Sequence, residues 1–191
     1  MSNAKQKKWN DCYKDADIKG ATASSLLQEN LHLLPSNKGR ALDLACGRAG
    51  NAQLLATKGF QVDAFDFSVN VIESLKQANL AAINPQLWDS EKDDLAPEYY
   101  DVIVVSYFLQ RDLFPSLIKA LKQGGVLFYQ TWSQQCVDSS GPSNPNFRLQ
   151  QGELLSLCKD LRIVLYREEG SLGDIKQGYR NEACLIAEKT L

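Results

Sequence analysis

One stretch of sequence limits the fold more than any other. Asp101-Val102-Ile103-Val104-Val105-Ser106 is apolar and mostly β-branched at both odd and even positions. A strand with one face in water alternates apolar and polar side chains, so a strand lacking that alternation must be covered on both sides. Strands of this kind belong to parallel sheets, whose crossover helices lie on both faces. A chain that contains one should alternate strands with helices.

The rest of the sequence has that alternation. Residues 40–44 form a short apolar run that stops at a turn of small residues. Ala52, Leu55 and Ala56 predict a helix over 51–58, with Gly59 past its end. A second strand is expected over 60–65. Ser68 is placed to cap a helix carrying Val71, Ile72 and Leu75, and 85–88 reads as a short third strand. After the central strand, Leu113, Phe114, Leu117, Ile118 and Leu121 predict a helix over 112–122, ended by Gly124-Gly125. A fifth strand (126–132), a helix (151–159), a sixth strand (162–166), a turn with Gly170, Gly173 and Gly178, and a last strand (183–187) follow. No helix separates the last two strands, so they should pair antiparallel. The expected fold is α/β: a doubly wound, mostly parallel, seven-stranded Rossmann-like sheet with an antiparallel C-terminal edge hairpin.

The 191 residues are the length of one domain. It divides into an N-terminal helical segment (1–37), a ligand-binding half (38–132) and a part bearing a long loop and the hairpin (133–191). The 21 basic and 23 acidic residues give a net charge of -2, which argues against a broad cationic face for nucleic acid. No uncharged apolar run approaches the ~18 residues of a membrane span. No apolar stretch follows the lysine-rich start, so no secretory leader is expected. The five cysteines are odd in number and scattered, which argues against a disulfide framework or a zinc site. Reduced thiols without an export signal imply a cytoplasmic protein. The single histidine, His32, lies in a helical pattern over 24–34 and reads as a surface or packing residue. No metal site and no His-dependent nucleophile is expected.

The ligand should lie at the end of the first strand, since open α/β sheets bind ligands outside their C-terminal strand ends. There the sequence reads Asp43-Leu44-Ala45-Cys46-Gly47-Arg48-Ala49-Gly50-Asn51. Ala45, Gly47 and Gly50 nearly match a dinucleotide fingerprint, and their small side chains let a ligand approach the backbone. Asp66 closes the second strand nineteen residues beyond Gly47, where a carboxylate can accept both hydroxyls of a ribose. A nucleoside ligand follows. Asp43 selects which one, because an acid at this point repels a diphosphate and attracts a cation. S-adenosylmethionine has a sulfonium, an ammonium and no phosphate. An NAD(P)-dependent oxidoreductase is the alternative, although no Tyr-x-x-x-Lys occurs and the chain has no room for a substrate domain. A non-catalytic S-adenosylmethionine-binding protein is another.

The segments Leu42-Asp43-Leu44-Ala45-Cys46-Gly47, Val62-Asp63-Ala64-Phe65-Asp66-Phe67-Ser68, Tyr100-Asp101-Val102-Ile103-Val104-Val105-Ser106 and Gly124-Gly125-Val126-Leu127 resemble the motifs of class I S-adenosylmethionine-dependent methyltransferases. The resemblance covers about 38–132. Gly141-Pro142-Ser143-Asn144-Pro145-Asn146-Phe147 and Gly152-Glu153-Leu154-Leu155 are similar to small tellurite-resistance-type and thiol-methylating members. The resemblance implies that Asp43 and the backbone of Ala45, Cys46 and Gly47 contact the methionine part, beside Asn51. It implies that Asp66 holds the ribose and that Phe67 and Trp88 lie beside the adenine. Asp89 would accept from the adenine amino group, and Ser106 and Tyr107 would line the pocket. Cys46 is read as a packing residue, and Asp63 as a surface residue on the alternate face.

Methyl transfer is an in-line displacement at a carbon already activated by sulfonium, so the protein chiefly aligns and desolvates. With no His or Cys dyad near the pocket, an easily ionised small acceptor is expected, a thiol or an oxyanion. Arg111 and Arg148 are candidates to bind an anionic acceptor, and Tyr107 and Tyr13 are candidates for the chemistry. Trp9, Tyr13 and Trp132 are placed to close the pocket. The Ser/Asn/Gly/Pro-rich segment 133–149 is expected to act as a lid.

Overall fold

Seven strands among the described residues form one sheet: β1 (Arg40–Leu44), β2 (Gln61–Asp66), β3 (Ile83–Leu87), β4 (Tyr100–Ser106), β5 (Leu121–Trp132), β6 (Arg162–Arg167) and β7 (Glu182–Glu188). The structure is a computed structural model that describes residues 6, 7, 9–11, 13, 18 and 20–190. The strand order is β3-β2-β1-β4-β5-β7-β6. The first five strands pair in parallel, while β7 runs antiparallel between β5 and β6. The expected doubly wound sheet and its antiparallel edge are both present.

β4 sits between β1 and β5, which is why its sequence lacks alternation. Val102 and Val104 enter one core layer with Leu26, Ala52, Leu55, Val62 and Ile72. Ile103 and Val105 enter the other with Leu42, Leu44, Phe65, Phe114 and Leu117. The covering helices are α1 (Ser25–Glu29), α2 (Gly50–Thr57), α3 (Val69–Ala78), α4 (Phe114–Ala120) and α5 (Glu153–Leu157). Ser68 caps α3 by accepting from the Val71 amide, as its position predicts. No helix among the described residues is long and apolar enough to cross a membrane.

Three expectations are corrected. The helix over 112–122 ends at Ala120, and Leu121 and Lys122 already belong to β5. Gly124-Gly125 is therefore an irregularity inside a strand and not a helix stop. Gly124 has φ +74, and the register between β4 and β5 shifts here. A Cβ on Gly125 would lie 3.0 Å from the Tyr100 carbonyl oxygen, so glycine lets the two strands close up. The helical pattern over 24–34 is the single turn of α1 followed by a 3-10 turn (Leu31–Leu33), which leaves His32 exposed. Asp63 is buried, not on the surface, because β2 has neighbours on both edges and a core layer on each face. Its carboxylate accepts from Asn84 Nδ2 at 2.8 Å, Tyr100 Oη at 3.2 Å and Arg40 Nη2 at 3.3 Å.

Candidate cofactor and acceptor site

The parallel strands of one sheet face deliver a row of polar side chains to their C-terminal rim. Asp66 comes from β2, Asp43 from β1, Ser106 from β4 and Gln130 from β5, with Glu182 opening β7 beside them. Each lies on the side of the sheet that α1, α2 and α3 cover, since the residues two positions back (Ala64, Ala41, Val104 and Phe128) belong to that core layer.

Asp43 is 1% exposed. It accepts from the Ala52 amide at 2.9 Å and from Asn51 Nδ2 at 3.3 Å. Burial lifts its carboxyl to about 7, against the pull of these two donors, and the Asp66 charge adds to the rise. Asp66 accepts from the Gly47 amide at 2.9 Å and the Ser68 amide at 2.8 Å. Burial raises it as well. No cationic side chain among the described residues pairs with either acid. A buried acid pair of this kind is costly without a counter-ion, so the site suits a ligand that brings positive charge.

Between these acids the backbone makes an unusual turn. Ala45, Gly47 and Ala49 all have positive φ, at 55, 51 and 60 degrees. The Cys46 amide donates to the Phe65 carbonyl at 2.9 Å, which ties the turn to β2. Burial, followed by the neighbouring Asp43 and Asp66, pushes the Cys46 thiol up, so it stays protonated and is no nucleophile. Asn51 joins the parts of the rim. Its Nδ2 also donates to Ser106 Oγ at 3.2 Å, and its Oδ1 accepts from the Ser24 amide at 2.8 Å.

Beyond β3, the Trp88 amide donates to the Asp66 carbonyl at 2.9 Å, and the Trp88 ring stacks on Phe65 at 6.1 Å. The buried Trp88 indole nitrogen finds no acceptor among the described residues. Asp89 is engaged locally: Oδ1 accepts from the Glu91 amide at 3.0 Å, and Lys92 Nζ lies 2.8 Å from Oδ2. Phe67 is half-buried between β2 and α3.

Sequence reasoning named Trp9 and Tyr13 as residues that close this site but missed Gln6, Asn10 and Thr22 beside them. Described residues near the N-terminus lie across it as a roof, with Gln6 Nε2 donating to the Phe67 carbonyl at 3.2 Å. Asn10 Oδ1 accepts from Ser68 Oγ at 2.9 Å and from the Val69 amide at 3.0 Å. A Cβ on Gly47 would meet the Tyr13 hydroxyl at 2.9 Å, so Tyr13 stands directly over the turn, with Trp9 stacked on it at 6.2 Å. A Cβ on Gly50 would lie 2.3 Å from the Thr22 carbonyl oxygen. These contacts join residues far apart in sequence through single polar atoms, which leave no periodic signal.

The two candidate arginines are committed to the chain itself. Arg111 grips Glu153 through Nε at 2.5 Å and Nη2 at 2.9 Å, and donates to the carbonyls of Asn146 and Arg148. Arg148 is buried and donates to the carbonyls of Ser133 (2.9 Å), Pro142 (2.8 Å) and Ser140. Segment 133–149 is thus an Ω-loop wrapped around its own arginine. Its neck is closed by the Leu149 amide, which donates to the Trp132 carbonyl at 2.8 Å. Gly141, with φ +84, packs on Trp132, where a Cβ would come within 2.5 Å of the ring. Trp132 also packs against Tyr107, with ring centroids 5.1 Å apart. Among the described residues no group of three or more His, Cys, Asp or Glu side chains is arranged to hold a metal.

Comparison with known proteins identifies the family and the fold. The model of the family described as tellurite resistance protein TehB matches residues 6–184. The crystal structure of TehB from Haemophilus influenzae is 24% identical with a TM-score of 0.63, over 95% of this chain and 67% of that one. An S-adenosylmethionine-dependent methyltransferase from Mesorhizobium loti is 16% identical with a TM-score of 0.68, over 90% of this chain and 100% of that one. A further methyltransferase of this kind, from Aquifex aeolicus, is 17% identical with a TM-score of 0.65, over 91% and 97%. No sequence match to a curated protein is found.

Proposed function

The chain belongs to the tellurite resistance protein TehB family, within the class I S-adenosylmethionine-dependent methyltransferases, and from that premise we propose that it methylates a small acceptor, a thiol or an oxyanion. The observation that carries this reading is the pair of buried carboxylates, Asp43 and Asp66, without a cationic partner among the described residues, on either side of a turn of small residues with positive φ at Ala45, Gly47 and Ala49. A dinucleotide would have to set its diphosphate against those charges, which is strongly unfavourable at low dielectric. The bound cofactor supplies a methyl group already activated by its sulfonium. The residues present fit it. Asp43 is placed to take its ammonium, with Asn51 fixing that carboxylate. Asp66, held by backbone amides that include Gly47 and Ser68, is placed to accept from the ribose as well, and Phe67, Trp88 and Asp89 lie at the tips of β2 and β3, where the adenine would belong. Ser106 and Tyr107 then face the acceptor. Tyr13, with Trp9 and Asn10, excludes water from above. Because Arg111 and Arg148 are spent on Glu153 and on loop carbonyls, the acceptor side offers little to an anion, and a thiol fits better than an oxyanion.

S-adenosylhomocysteine at a hundredfold excess over its Kd should raise Tm by about 5–10 °C, and NADH should not. A panel of small thiols and oxyanions, followed by mass spectrometry, should then yield a methylated thiol. No Tm shift with S-adenosylhomocysteine would overturn the cofactor assignment. Binding without any methylated product would leave a cofactor-binding protein in its place.

A further inference from the structure

A second polar cluster lies on the same rim, around Tyr107, Gln130 and Glu182. Tyr107 follows β4 with φ +56, a left-handed backbone that an aromatic residue adopts only where its surroundings enforce it. Three contacts do so. Its amide donates to the Gln130 carbonyl at 2.8 Å, its ring packs on Trp132, and its hydroxyl donates to Glu182 Oε1 at 3.0 Å. The other oxygen, Oε2, accepts from Gln130 Nε2 at 2.6 Å. Gln130 is itself buried and oriented, because its Oε1 accepts from the Leu26 amide at 3.1 Å. That leaves its NH2 group directed at Glu182, Ser25 Oγ and the Tyr107 hydroxyl. Glu182 is therefore a carboxylate held by neutral donors, with no cationic side chain paired to it among the described residues. Tyr107, which donates to it, is itself 46% exposed.

We propose that Tyr107 and Glu182 form a proton path that takes the proton of a thiol acceptor as the methyl group arrives. This rests on the reading of the protein as a small-molecule methyltransferase. The S–H bond breaks, and its electron pair makes the new S–CH3 bond. The pair of the cleaved donor C–S bond stays on the donor as a thioether. The acceptor proton passes to the Tyr107 oxygen while the phenol proton passes to Glu182 Oε1. Glu182 then returns it to water. Strain at Tyr107 keeps the phenol aimed, and Gln130 keeps the carboxylate from turning away. Such a path favours an acceptor that arrives neutral with its own proton over one that arrives as an anion. Tyr107 is the group that touches the acceptor; Glu182 and Gln130 act through it.

The test uses Glu182→Gln and Tyr107→Phe in the full chain, with thiols of graded acidity. General base catalysis contributes ~10²–10⁴-fold. The loss in kcat should therefore grow with thiol pKa, from less than about threefold for an aryl thiol ionised in the assay to more than about tenfold for an alkyl thiol, and Glu182→Asp should recover part of it. Calorimetry on protein saturated with S-adenosylhomocysteine should give an alkyl-thiol Kd within about twofold of the parent protein. Equal losses for all thiols, or a loss that lies wholly in Kd, would overturn the proton path while leaving the methyltransferase reading intact. A parent protein that binds the cofactor but methylates no thiol would overturn the thiol acceptor and the path together. Should Glu182→Gln fail to fold, Tyr107→Phe keeps the ring against Trp132 and decides the question by the same slope.

Discussion

The Gly47 amide donates to Asp66 Oδ2 at 2.9 Å, which fastens the turn after β1 to the tip of β2. The carboxylate that would hold the ribose also sets the shape of the methionine site. Asp66→Ala should weaken cofactor binding by ~1.5–3 kcal/mol, the range for hydrogen bonds to a charged group. Asp66→Asn should recover little, since an amide would have to turn NH2 toward either the Gly47 or the Ser68 donor. Calorimetry that finds unchanged affinity in Asp66→Ala would remove this residue from the site.

Asp43 makes stability depend on pH in a direction opposite to most carboxylates. Its pKa rises from the usual 3.8 to about 7 on folding. A raised acid binds its proton more tightly in the native state, so its contribution is full below about pH 4 and is lost as pH rises through about 7. The cost at higher pH is on the order of 4 kcal/mol. Asp43→Asn should flatten that fall in the cofactor-free protein, as followed by urea unfolding across the range, while impairing cofactor binding. Binding of the cationic cofactor near pH 6.5 should release a proton, seen as a dependence of calorimetric heat on buffer ionisation enthalpy.

Gly50→Ala tests the roof. The new methyl group would sit 2.3 Å from the Thr22 carbonyl oxygen, a backbone atom that cannot swing aside. A loss of about 1–3 kcal/mol is expected from overpacking, together with faster proteolysis of the N-terminal segment. Unchanged proteolysis would mean that residues 22–24 do not dock on α2.

Arg148→Ala and Arg148→Lys should behave alike, because the three carbonyls around this guanidinium need its planar fork. A loss of about 1.5–3 kcal/mol is expected, with cleavage appearing inside 133–149. If the loop is also a lid, cofactor plus acceptor should protect it in the parent protein, and limited proteolysis reads both effects.

Much of the fold could be read in advance because it rests on local rules. β1 lies where its short apolar run and the small-residue turn put it, and Ser68 caps α3 because a hydroxyl before an apolar helical face seldom has another use. The apolar pattern over 112–122 overstates the helix because Leu121 fits both a helical face and a strand start. Burial in a central sheet was the stronger influence. The burial of Asp63 is hidden for a related reason: alternation says which face a side chain takes, not whether that face is wet. Asp43 and Asp66 stand out in sequence as acids ending apolar strands. Gln130 gives the same kind of signal, a lone amide within Val126–Trp132, and could have been found by it. The engagement of Arg111 and Arg148, and the docking of Asn10 and Thr22, depend on tertiary contacts that no periodicity encodes.

The reversal of β7 has a consequence for how such a protein could change its clientele. Because that strand runs backwards between β5 and β6, its first residue, Glu182, arrives where the forward strands finish. On the proposed function, the two long connections, 133–149 and 168–181, would border the entrance for the methyl recipient, while the donor's berth would be built from residues before 108. Drift or design can recut the former without disturbing the latter, so one chemical engine can be refitted to new customers by editing the last third of the chain.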